Sequence, residues 1–251
     1  MNFNNKNVLI TGGTTGIGLA TAKAFIQQGA HVMITGKNVD NLQNAAAEIN
    51  DIKLKTVVSD TANLTDIDTL EKTIVQSGKK LDVLFLNAGV SKFATIESTS
   101  VADFDLQFNI NVKGLFFTLQ KMIPHLQDGA SVVFTSSATS TASHSQLSVY
   151  SATKSAIDTI ARVAATELAE RNIRVNIISP GPIDTPILGK AMSADEAKAT
   201  QDFYKTGGLI PLKKIGTPEE VAEAVLFLSA TTSSFITGAS LSIDGGTALR
   251  R

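Results

Sequence analysis

A glycine-rich stretch near the start of the chain reads Val8-Leu-Ile-Thr-Gly-Gly-Thr-Thr-Gly-Ile-Gly18. Its first half is apolar and β-branched, which is typical of a buried strand, and a helical pattern begins at Ile17. Glycine lets the backbone turn tightly and lie against a pyrophosphate, while a helix N-terminus supplies N–H donors and positive potential. The spacing is G-x-x-x-G-x-G, which differs from the more common G-x-G-x-x-G. The stretch therefore predicts a dinucleotide-binding turn, or else a turn that only packs a helix on a strand.

Apolar runs alternate with segments of helical period along the whole chain. The predicted strands are Val8–Thr11, His31–Thr35, Leu54–Ser59, Leu81–Leu86, Ser131–Ser136, Arg174–Ile178 and Ser240–Ile243. The predicted helices are Ile17–Gln28, Leu42–Ile49, Val101–Leu126, Ser151–Arg171 and a last helix that begins at Pro218. Continuous apolar runs suit strands that are buried on both faces. The alternation predicts an α/β fold, a doubly wound Rossmann-type parallel sheet of seven strands with helices on both faces.

The chain shows no internal boundary. Because no proline- or serine-rich linker and no repeat divides it, residues 1–251 are predicted to form one dinucleotide-binding and catalytic domain. One connection, Pro180–Leu212, is about thirty residues long, and so long a connection in a compact α/β domain is usually functional. Residues 186–213 within it are predicted to form a lid over the substrate.

The composition excludes several classes of function. Lys and Arg number 22 against 23 Asp and Glu, without a basic run, which argues against nucleic-acid and anionic-membrane partners. The chain has no cysteine, so it has no disulfide, thiol nucleophile or cysteine metal site, and its three histidines lack metal-ligand spacing. No signal-peptide pattern occurs, and no run approaches the ~18 apolar residues of a membrane span. A soluble, cytoplasmic protein without a bound metal is expected.

Three residues, Ser137, Tyr150 and Lys154, form the pattern that carries chemistry. Tyr150 and Lys154 are four residues apart on a predicted helix, so their side chains share one face. A phenol with a pKa of ~10 is a poor acid or base at neutral pH, but a nearby ammonium favours the phenolate. Ser137 ends a predicted strand at the carboxyl edge of the sheet, where it can bind a reacting oxygen. The set predicts proton exchange with an alcohol or a carbonyl, whereas an isolated Tyr-x-x-x-Lys pair is usually a solvated helix face.

Motifs in a fixed order make the sequence resemble the short-chain dehydrogenase/reductase family, in its shorter single-domain variety. The resemblance covers almost the whole chain and rests on Thr11–Gly18, Asn87-Ala-Gly89, Asn111 within Asn109–Gly114, Ser137, Tyr150-Ser-Ala-Thr-Lys154, Pro180–Thr185 and Gly238–Gly246. Ser137 precedes Tyr150 by 13 positions, as it does in that family. Each motif alone is loose, but their shared order and spacing are specific.

The resemblance implies hydride transfer between a nicotinamide cofactor and an alcohol carbon, with four catalytic residues. Tyr150 would be the general acid in carbonyl reduction and the base in alcohol oxidation. Lys154 would lower the pKa of Tyr150 and hold the nicotinamide ribose, while Ser137 would orient the substrate oxygen. Asn111 would bind a water that passes protons toward Lys154. The implied cofactor-binding residues are Gly12, Thr14, Thr15, Gly16, Ile17, Gly18, Gly36, Lys37, Asn38, Asp60, Thr61, Asn87, Ala88, Gly89, Tyr150, Lys154, Pro180, Gly181, Ile183 and Thr185.

The end of the second strand bears on the choice between NAD(H) and NADP(H). An acidic residue there would bind the ribose hydroxyls and repel a 2′-phosphate, but the matching position is Gly36 and the next residue is Lys37. A cation without a competing carboxylate favours the phosphate. NADP(H) is therefore the preferred cofactor, and NAD(H) stays open because lysine is a looser phosphate ligand than arginine.

The resemblance also implies a mostly apolar substrate pocket. Its implied lining is Val90, Ser91, Phe93, Ser137, Thr139, Ser143, Leu147, Pro182, Ile187, Leu188 and Met192, with Phe203 and Tyr204 in the lid. Since no Arg or Lys is clearly placed for a carboxylate, a neutral ketone, aldehyde or secondary alcohol is expected.

Three other functions share part of this sequence pattern. A 3-oxoacyl-(acyl-carrier-protein) reductase would need a basic surface for its acidic carrier, to which Arg171 and Arg174 could contribute. A non-catalytic dinucleotide-sensing protein would have no use for the intact Asn, Ser, Tyr and Lys set. A methyltransferase shares the glycine turn but does not require Tyr150 with Lys154.

The resemblance implies a homotetramer as well. It would pair through the helices Val101–Leu126 and Ser151–Arg171 and through the last strand. A stripe on the second of these helices, formed by Ala152, Ala156, Ile160, Val163 and Ala164, fits a partner's surface or the sheet of its own chain.

Overall fold

The computed structural model describes residues 1–142, 144–187, 189, 193–206 and 210–249. Their strands form a parallel sheet in the order β3-β2-β1-β4-β5-β6-β7. The strands are β1 Asn7–Ile10, β2 His31–Gly36, β3 Leu54–Val58, β4 Leu81–Leu86, β5 Leu126–Thr135, β6 Arg174–Pro180 and β7 Ser240–Ile243. The strand order reverses between β1 and β4, which confirms the predicted doubly wound sheet.

Helices cover both faces of this sheet. They are α1 Gly16–Gln27, α2 Val39–Ile49, α3 Leu64–Ser77, α4 Val101–Phe108, α5 Leu115–Met122, α6 Ser148–Glu167, α7 Ala194–Thr206 and α8 Pro218–Ser229. One core cluster joins the sheet to α3, α5 and α6, and the other joins it to α1, α2 and α8. None of the described helices is long and apolar enough to cross a lipid bilayer.

Strand β5 shows why the central strands have continuous apolar sequences. Successive side chains of a strand point to opposite faces of the sheet. Val132 and Phe134 accordingly belong to the cluster with α5 and α6, while Val133 belongs to the cluster with α1 and α8. All three are fully buried, which suits a strand covered on both sides.

The predicted helix Val101–Leu126 is wrong in its continuity. A π-helical segment, Asn109–Gly114, separates α4 from α5, and a 3₁₀ turn at Ile123–His125 precedes β5. A Cβ on Gly114 would overlap the carbonyl oxygen of Thr61, so the backbone passes too close to that loop for any side chain. The wider turn also places Asn111 in the interior of the molecule.

Helix α3 is absent from the sequence predictions although local signals for it exist. The side chain of Asn63 caps its first turn by accepting a hydrogen bond from the N–H of Thr65. Gly78 ends the helix in the left-handed region, with φ of 65°. Ile67, Leu70 and Ile74 form its buried stripe at helical spacing.

Only part of the stripe predicted on α6 faces the sheet. The buried face of α6 is instead formed by Thr153, Lys154, Ile157, Asp158, Ala161, Ala164 and Ala165. Ala152 is exposed and Val163 is 51% exposed, whereas Ala164 is buried and Ile160 packs against the core. The predicted stripe is thus divided between the core and the surface of this chain, and its contact with a partner stays a prediction.

Candidate active site

A cleft of about 600 Å³ lies along the carboxyl ends of the central strands. This is the edge at which a doubly wound sheet binds ligands, because loops diverge there at the reversal of strand order. Its lining contains every residue predicted to bind cofactor except Gly18. It also contains residues that sequence reasoning missed, namely Asn41, Ser59, Lys92, Leu106, Ile110, Thr135, Ser136 and Pro186.

The glycine turn between β1 and α1 forms one wall of the cleft. Gly12 and Gly16 have φ of +64° and +53°, a region that L side chains rarely adopt. Thr15, at the start of α1, makes no side-chain capping hydrogen bond, so the first N–H groups of the helix are left for a ligand. Bare backbone and free N–H donors beside the cleft fit a pyrophosphate.

Gly18 lies under this turn and is not in the lining of the cleft. A Cβ at this position would be 2.2 Å from the carbonyl oxygen of Gly12 and 2.7 Å from Nδ2 of Asn87. The residue is therefore needed for close packing of helix on turn, which is one of the roles that glycine has in such motifs.

Asn87 ties three strands together at the floor of the cleft. Its Nδ2 donates to the carbonyl oxygens of Thr11 and Gly12 at 3.2 and 3.1 Å. Its Oδ1 accepts a hydrogen bond from Oγ1 of Thr135 at 3.2 Å. Because these partners lie at the ends of β1 and β5, the Asn87 side chain holds the glycine turn in position beside the end of β4.

Asn111 is fully buried in the π-helical segment and fastens it to two neighbours. Its Nδ2 donates to the carbonyl oxygen of Val90 at 2.9 Å and to Oγ1 of Thr153 at 3.0 Å, and its Oδ1 accepts from the N–H of Val90 at 2.8 Å. Thr153 in turn donates to the carbonyl oxygen of Tyr150 at 2.7 Å. Both amide hydrogens of Asn111 are thus used within the protein, and the side chain links the cleft wall to the first turn of α6.

Asn111 and Lys154 border the same small space. Oδ1 of Asn111 and Nζ of Lys154 are each 3.4 Å from the point where a Cβ on Gly89 would lie. Glycine at this position therefore keeps open the volume between the amide and the ammonium.

Lys154 and Tyr150 face the cleft from successive turns of α6. Nζ of Lys154 donates to the carbonyl oxygen of Thr135 at 2.9 Å and lies 5.5 Å from the centre of the Tyr150 ring. Burial lowers the pKa of Lys154 to about 8, although the carboxylate of Asp158, four residues later, raises it.

Burial raises the pKa of Tyr150 to about 12, against a hydrogen bond from Ser137 that lowers it. The lowering of this pKa by Lys154 stays a prediction. Loss of solvation of the phenolate is the larger effect, and the Ser137 hydrogen bond is the smaller one. Tyr150 consequently keeps its proton throughout the neutral range.

Ser137 completes this group at the end of β5. Its Oγ accepts hydrogen bonds from the N–H and Oγ1 of Thr139 at 3.2 and 3.0 Å. With these acceptor positions filled, the hydroxyl of Ser137 keeps its own proton to donate. Its bond to Tyr150 is of this kind, because it stabilises the phenolate form.

A second cavity of about 180 Å³ adjoins the cleft, and we call it the side pocket. It is lined by Ser91, Phe93, Ser137, Ala138, Thr139, His144, Leu147, Tyr150, Pro180, Gly181, Pro182, Ile183, Ile187, Gln201, Tyr204, Ile215 and Thr247. Ser137 and Tyr150 line both cavities, so their two hydroxyls stand at the junction.

The structure brings only part of the predicted substrate pocket together. The side pocket is lined by eight of the predicted residues, whereas Val90 lines only the larger cleft. The eight are Ser91, Phe93, Ser137, Thr139, Leu147, Pro182, Ile187 and Tyr204. Three predicted residues, Ser143, Leu188 and Met192, lie outside the described residues.

Phe203 is not brought into the pocket. It is 52% exposed, and its neighbour Tyr204 lines the side pocket instead. Adjacent helical residues point in directions about 100° apart, so only one of the two can face inward from α7.

Gly36 and Lys37 lie in the cleft wall as predicted from the end of β2. Lys37 is exposed, and Gly36 has φ outside the left-handed region. A Cβ on Gly36 would lie 2.6 Å from the Cγ2 methyl of Thr14. Steric contact with the glycine turn, rather than backbone conformation, therefore limits substitution here.

In the described part of the chain, no group of three or more His, Asp or Glu side chains could hold a metal ion. The residues that could bind a cofactor are those of the cleft. Their glycine turn, free helix N-terminus and length of lining suit an extended dinucleotide.

Comparison with known proteins agrees with this geometry. Residues 12–248 match the family described as enoyl-(acyl carrier protein) reductase. The 3-oxoacyl-(acyl-carrier-protein) reductase FabG of Thermotoga maritima is 36% identical over 251 residues, covering 98% of this chain and 99% of that protein. The crystal structure of levodione reductase has a TM-score of 0.91 at 29% identity, with full coverage of both chains.

A further solved structure contains a cofactor. The 3-ketoacyl-(acyl-carrier-protein) reductase from Brucella melitensis, complexed with NADH, has a TM-score of 0.88 at 30% identity, covering 98% of this chain and 100% of that one. The match of the family and of these relatives extends over nearly the whole sequence. The chain belongs to the short-chain dehydrogenase/reductase family of oxidoreductases.

Proposed function

We propose that this protein is an NADP(H)-dependent carbonyl reductase that acts on a ketone or aldehyde and, in reverse, on a secondary alcohol. The observation that carries the proposal is the position of Ser137 and Tyr150 at the junction of two cavities. One cavity has the length and the glycine turn that suit a dinucleotide, and the other is small and largely apolar. A substrate in the side pocket would thus meet both hydroxyls beside the cofactor cleft.

The cleft residues would hold the cofactor through contacts that the chain itself provides. The N–H groups at the start of α1 would bind the pyrophosphate, and Ile183 and Thr185 after β6 would contact the nicotinamide. When bound, the reduced nicotinamide supplies the hydride. The protein contributes placement of the substrate and management of the proton.

Proton transfer follows from the hydrogen bonds at the end of β5. Ser137 donates to the carbonyl oxygen of the substrate and draws electron density away from the carbon. Tyr150 gives its proton to the same oxygen as negative charge develops there. The ammonium of Lys154 stabilises the resulting phenolate, and a water in the space beside Asn111 returns a proton toward Lys154.

The pKa of Tyr150 favours the reductive direction. At about 12, this pKa keeps the phenol protonated at neutral pH, which is the form that an acid requires. Alcohol oxidation needs the phenolate as base and is therefore disfavoured until pH rises.

The test is an assay of purified protein with NADPH and NADH against a panel of ketones, aldehydes and acyl-carrier thioesters. We expect NADPH oxidation with a neutral ketone or aldehyde and a lower kcat/KM with NADH. Tight binding of NADPH without turnover of any substrate would instead favour the dinucleotide-sensing alternative.

A second candidate, reduction of a 3-oxoacyl carrier thioester, has the support of the FabG relative. The surroundings of Arg171 and Arg174, the two residues that could bind an acidic carrier, argue against this candidate. Arg174 donates to the carbonyl oxygens of Leu228, Ala230 and Ile236, and Arg171 is similarly engaged with Asp128. Arg174 also starts β6, about 20 Å from the carboxyl edge at ~3.3 Å per residue. Neither arginine is free beside the cleft.

The pH dependence of carbonyl reduction should reflect the loss of the proton of Lys154. Its pKa lies near 8, below the ordinary value of 10.5, so the ammonium is lost as pH rises through 8, while Tyr150 remains protonated. We expect kcat/KM for ketone reduction to be level near pH 7 and to fall above pH 8. Asp158→Asn removes the charge that raises the pKa of Lys154, so the fall should move to lower pH. A profile that is level to pH 10, or unchanged in Asp158→Asn, would contradict this assignment.

We propose that the protein assembles as a homotetramer, with the exposed side of α6 in an interface. Val163 on this helix, together with Phe104 of α4 and Phe116 of α5, exposes apolar surface that a partner copy would cover. Sedimentation of the wild type should give the mass of four chains, and Val163→Asp should shift the distribution toward smaller species. A monomeric wild type contradicts the proposal.

A further inference from the structure

The side pocket carries polar groups that the proposed reaction does not use. Its described lining contains no Asp, Glu, Lys or Arg, and its histidine, His144, is exposed. Phe93, Leu147, Ile187 and Ile215 supply apolar wall. The volume of about 180 Å³ is below the ~300–1,000 Å³ of sites for drug-sized ligands. The pocket therefore suits a compact, uncharged molecule.

Several hydroxyls of the pocket are already satisfied within the protein. Oγ1 of Thr139 donates to Ser137, and Oγ1 of Thr247 donates to the carbonyl oxygen of Asp244 at 2.6 Å. Ser137 is paired with Tyr150 for the reaction itself. These groups have no donor hydrogen to spare for a second site on the substrate.

Tyr204 differs from them. It lines the pocket from α7, and its ring contacts Phe203 with the two centres 6.0 Å apart. Its hydroxyl has no hydrogen-bond partner among the described residues, and burial raises its pKa, which keeps it a neutral donor. The only two tyrosines of the chain, Tyr150 and Tyr204, thus face one small cavity.

Two further polar groups strengthen the case for a polar ligand in the side pocket. Gln201 lies three residues before Tyr204 on the same face of α7 and also lines the pocket. Its Nε2 donates to Asp184 at 3.4 Å, which leaves its amide oxygen as an acceptor. Ser91, in the wall shared with the cleft, has a buried Oγ that lacks any hydrogen-bond partner in the described structure. A buried polar group without a partner is costly unless a ligand satisfies it.

We propose that the substrate carries a second neutral oxygen function, a carbonyl or a hydroxyl, and that Tyr204 binds it while Tyr150 and Ser137 bind the reacting carbonyl. The substrate class is a compact diketone or hydroxy ketone. This inference rests on the proposed carbonyl reduction. The reacting C=O becomes CH–OH by gain of the hydride at carbon and of the Tyr150 proton at oxygen, and the second oxygen is unchanged. Tyr204 is then a specificity-determining residue.

The test compares ketones that differ only in the second oxygen. Cyclohexane-1,4-dione, 2-hydroxycyclohexanone and cyclohexanone are assayed with NADPH in the wild type, in Tyr204→Phe and in Phe203→Leu, a control on the exposed side of α7. We expect Tyr204→Phe to lower kcat/KM about tenfold, through KM, for a ketone with two oxygens, since one neutral hydrogen bond is lost. For cyclohexanone, which has no second oxygen, the change in kcat/KM caused by Tyr204→Phe should be much smaller than tenfold. The ratio of ratios cancels the intrinsic reactivity of each ketone.

Failure of the inference is distinguishable from failure of the proposed function. If the wild type reduces none of the carbonyl compounds with either NADPH or NADH, the proposed function is overturned and the inference with it. If cyclohexanone is reduced but Tyr204→Phe affects all three ketones equally, Tyr204 only packs the pocket and the inference alone is overturned. Activity confined to bulky monofunctional ketones or carrier thioesters overturns it as well.

Discussion

Tyr150→Phe is expected to lower kcat for carbonyl reduction by ~10²–10⁴, the usual contribution of a positioned general acid. The substitution removes one hydroxyl and keeps the ring that forms part of the cleft wall. The loss should be large because the phenol, with a pKa of about 12, is protonated at neutral pH and stands where both cavities meet. Ser137 can still donate a hydrogen bond to the carbonyl oxygen in this variant. Because that hydrogen bond uses the proton of Ser137, Ser137 does not replace Tyr150 as the acid.

The measurement is kcat at saturating NADPH and ketone, with NADPH affinity followed by fluorescence and the fold by thermal melting. Both of these properties should be nearly unchanged. Tyr204→Phe is the matched control, because it removes a hydroxyl from the same pocket and should cost no more than about tenfold. A Tyr150→Phe protein with half the wild-type kcat would refute the assignment of Tyr150 as the acid.

Gly36→Asp is expected to move cofactor preference toward NAD(H) by tenfold or more. A carboxylate at the end of β2 would accept hydrogen bonds from the ribose hydroxyls of NAD(H), worth ~1.5–3 kcal/mol for a charged group. The same carboxylate would repel the 2′-phosphate of NADP(H). A change of ~1.4 kcal/mol already corresponds to a factor of ten.

The experiment has to separate the effect of the charge at position 36 from the steric contact of the new side chain with Thr14. Since a Cβ there would lie 2.6 Å from the Thr14 methyl, the substitution is best made with Thr14→Ser, which removes that methyl. Gly36→Ala with Thr14→Ser is the matched control, because it adds the Cβ without the charge. The ratio of kcat/KM for NADPH to that for NADH should fall in the aspartate variant and stay level in the control.

Lys37→Ala provides an independent check of the same preference. This exposed lysine in the cleft wall would contact the 2′-phosphate, so its loss should weaken NADPH alone and by less than Gly36→Asp does. If the wild type already prefers NADH, or if the aspartate variant leaves the ratio unchanged, NADP(H) is not the preferred cofactor.

The relation between sequence and site differs from one residue to the next. The placement of Ser137, Tyr150 and Lys154 could be predicted because it depends on local features: a strand end, and two positions one helical turn apart. The glycine turn could be predicted for the same reason, since its backbone conformation depends on the glycines at positions 12 and 16. Gly18 could not be assigned in this way, because its neighbours are the Gly12 carbonyl and the Asn87 side chain.

Contacts between distant segments could not be predicted from the sequence pattern. The side chain of Asn111 joins Val90 to Thr153 from within a π-helical turn, and that turn exists where Gly114 passes against Thr61. Hydrophobic periodicity describes a regular helix through this region, and it has no signal for one wider turn. The choice of Tyr204 over Phe203 as a lining residue likewise depends on how α7 is rotated against the site.

The sequence by itself determined the succession of seven strands, the parallel sheet and the identity of the hydroxyl, phenol and ammonium groups, because these follow from local periodicity, glycine positions and motif spacing. The tertiary structure alone decided their acidity and their surroundings. Burial, which raises the pKa of Tyr150 to about 12 and lowers that of Lys154 to about 8, is supplied by walls from β4, β5, β6 and α6 together. Solvation depends on every atom that surrounds a group, and those atoms come from segments far apart in the chain.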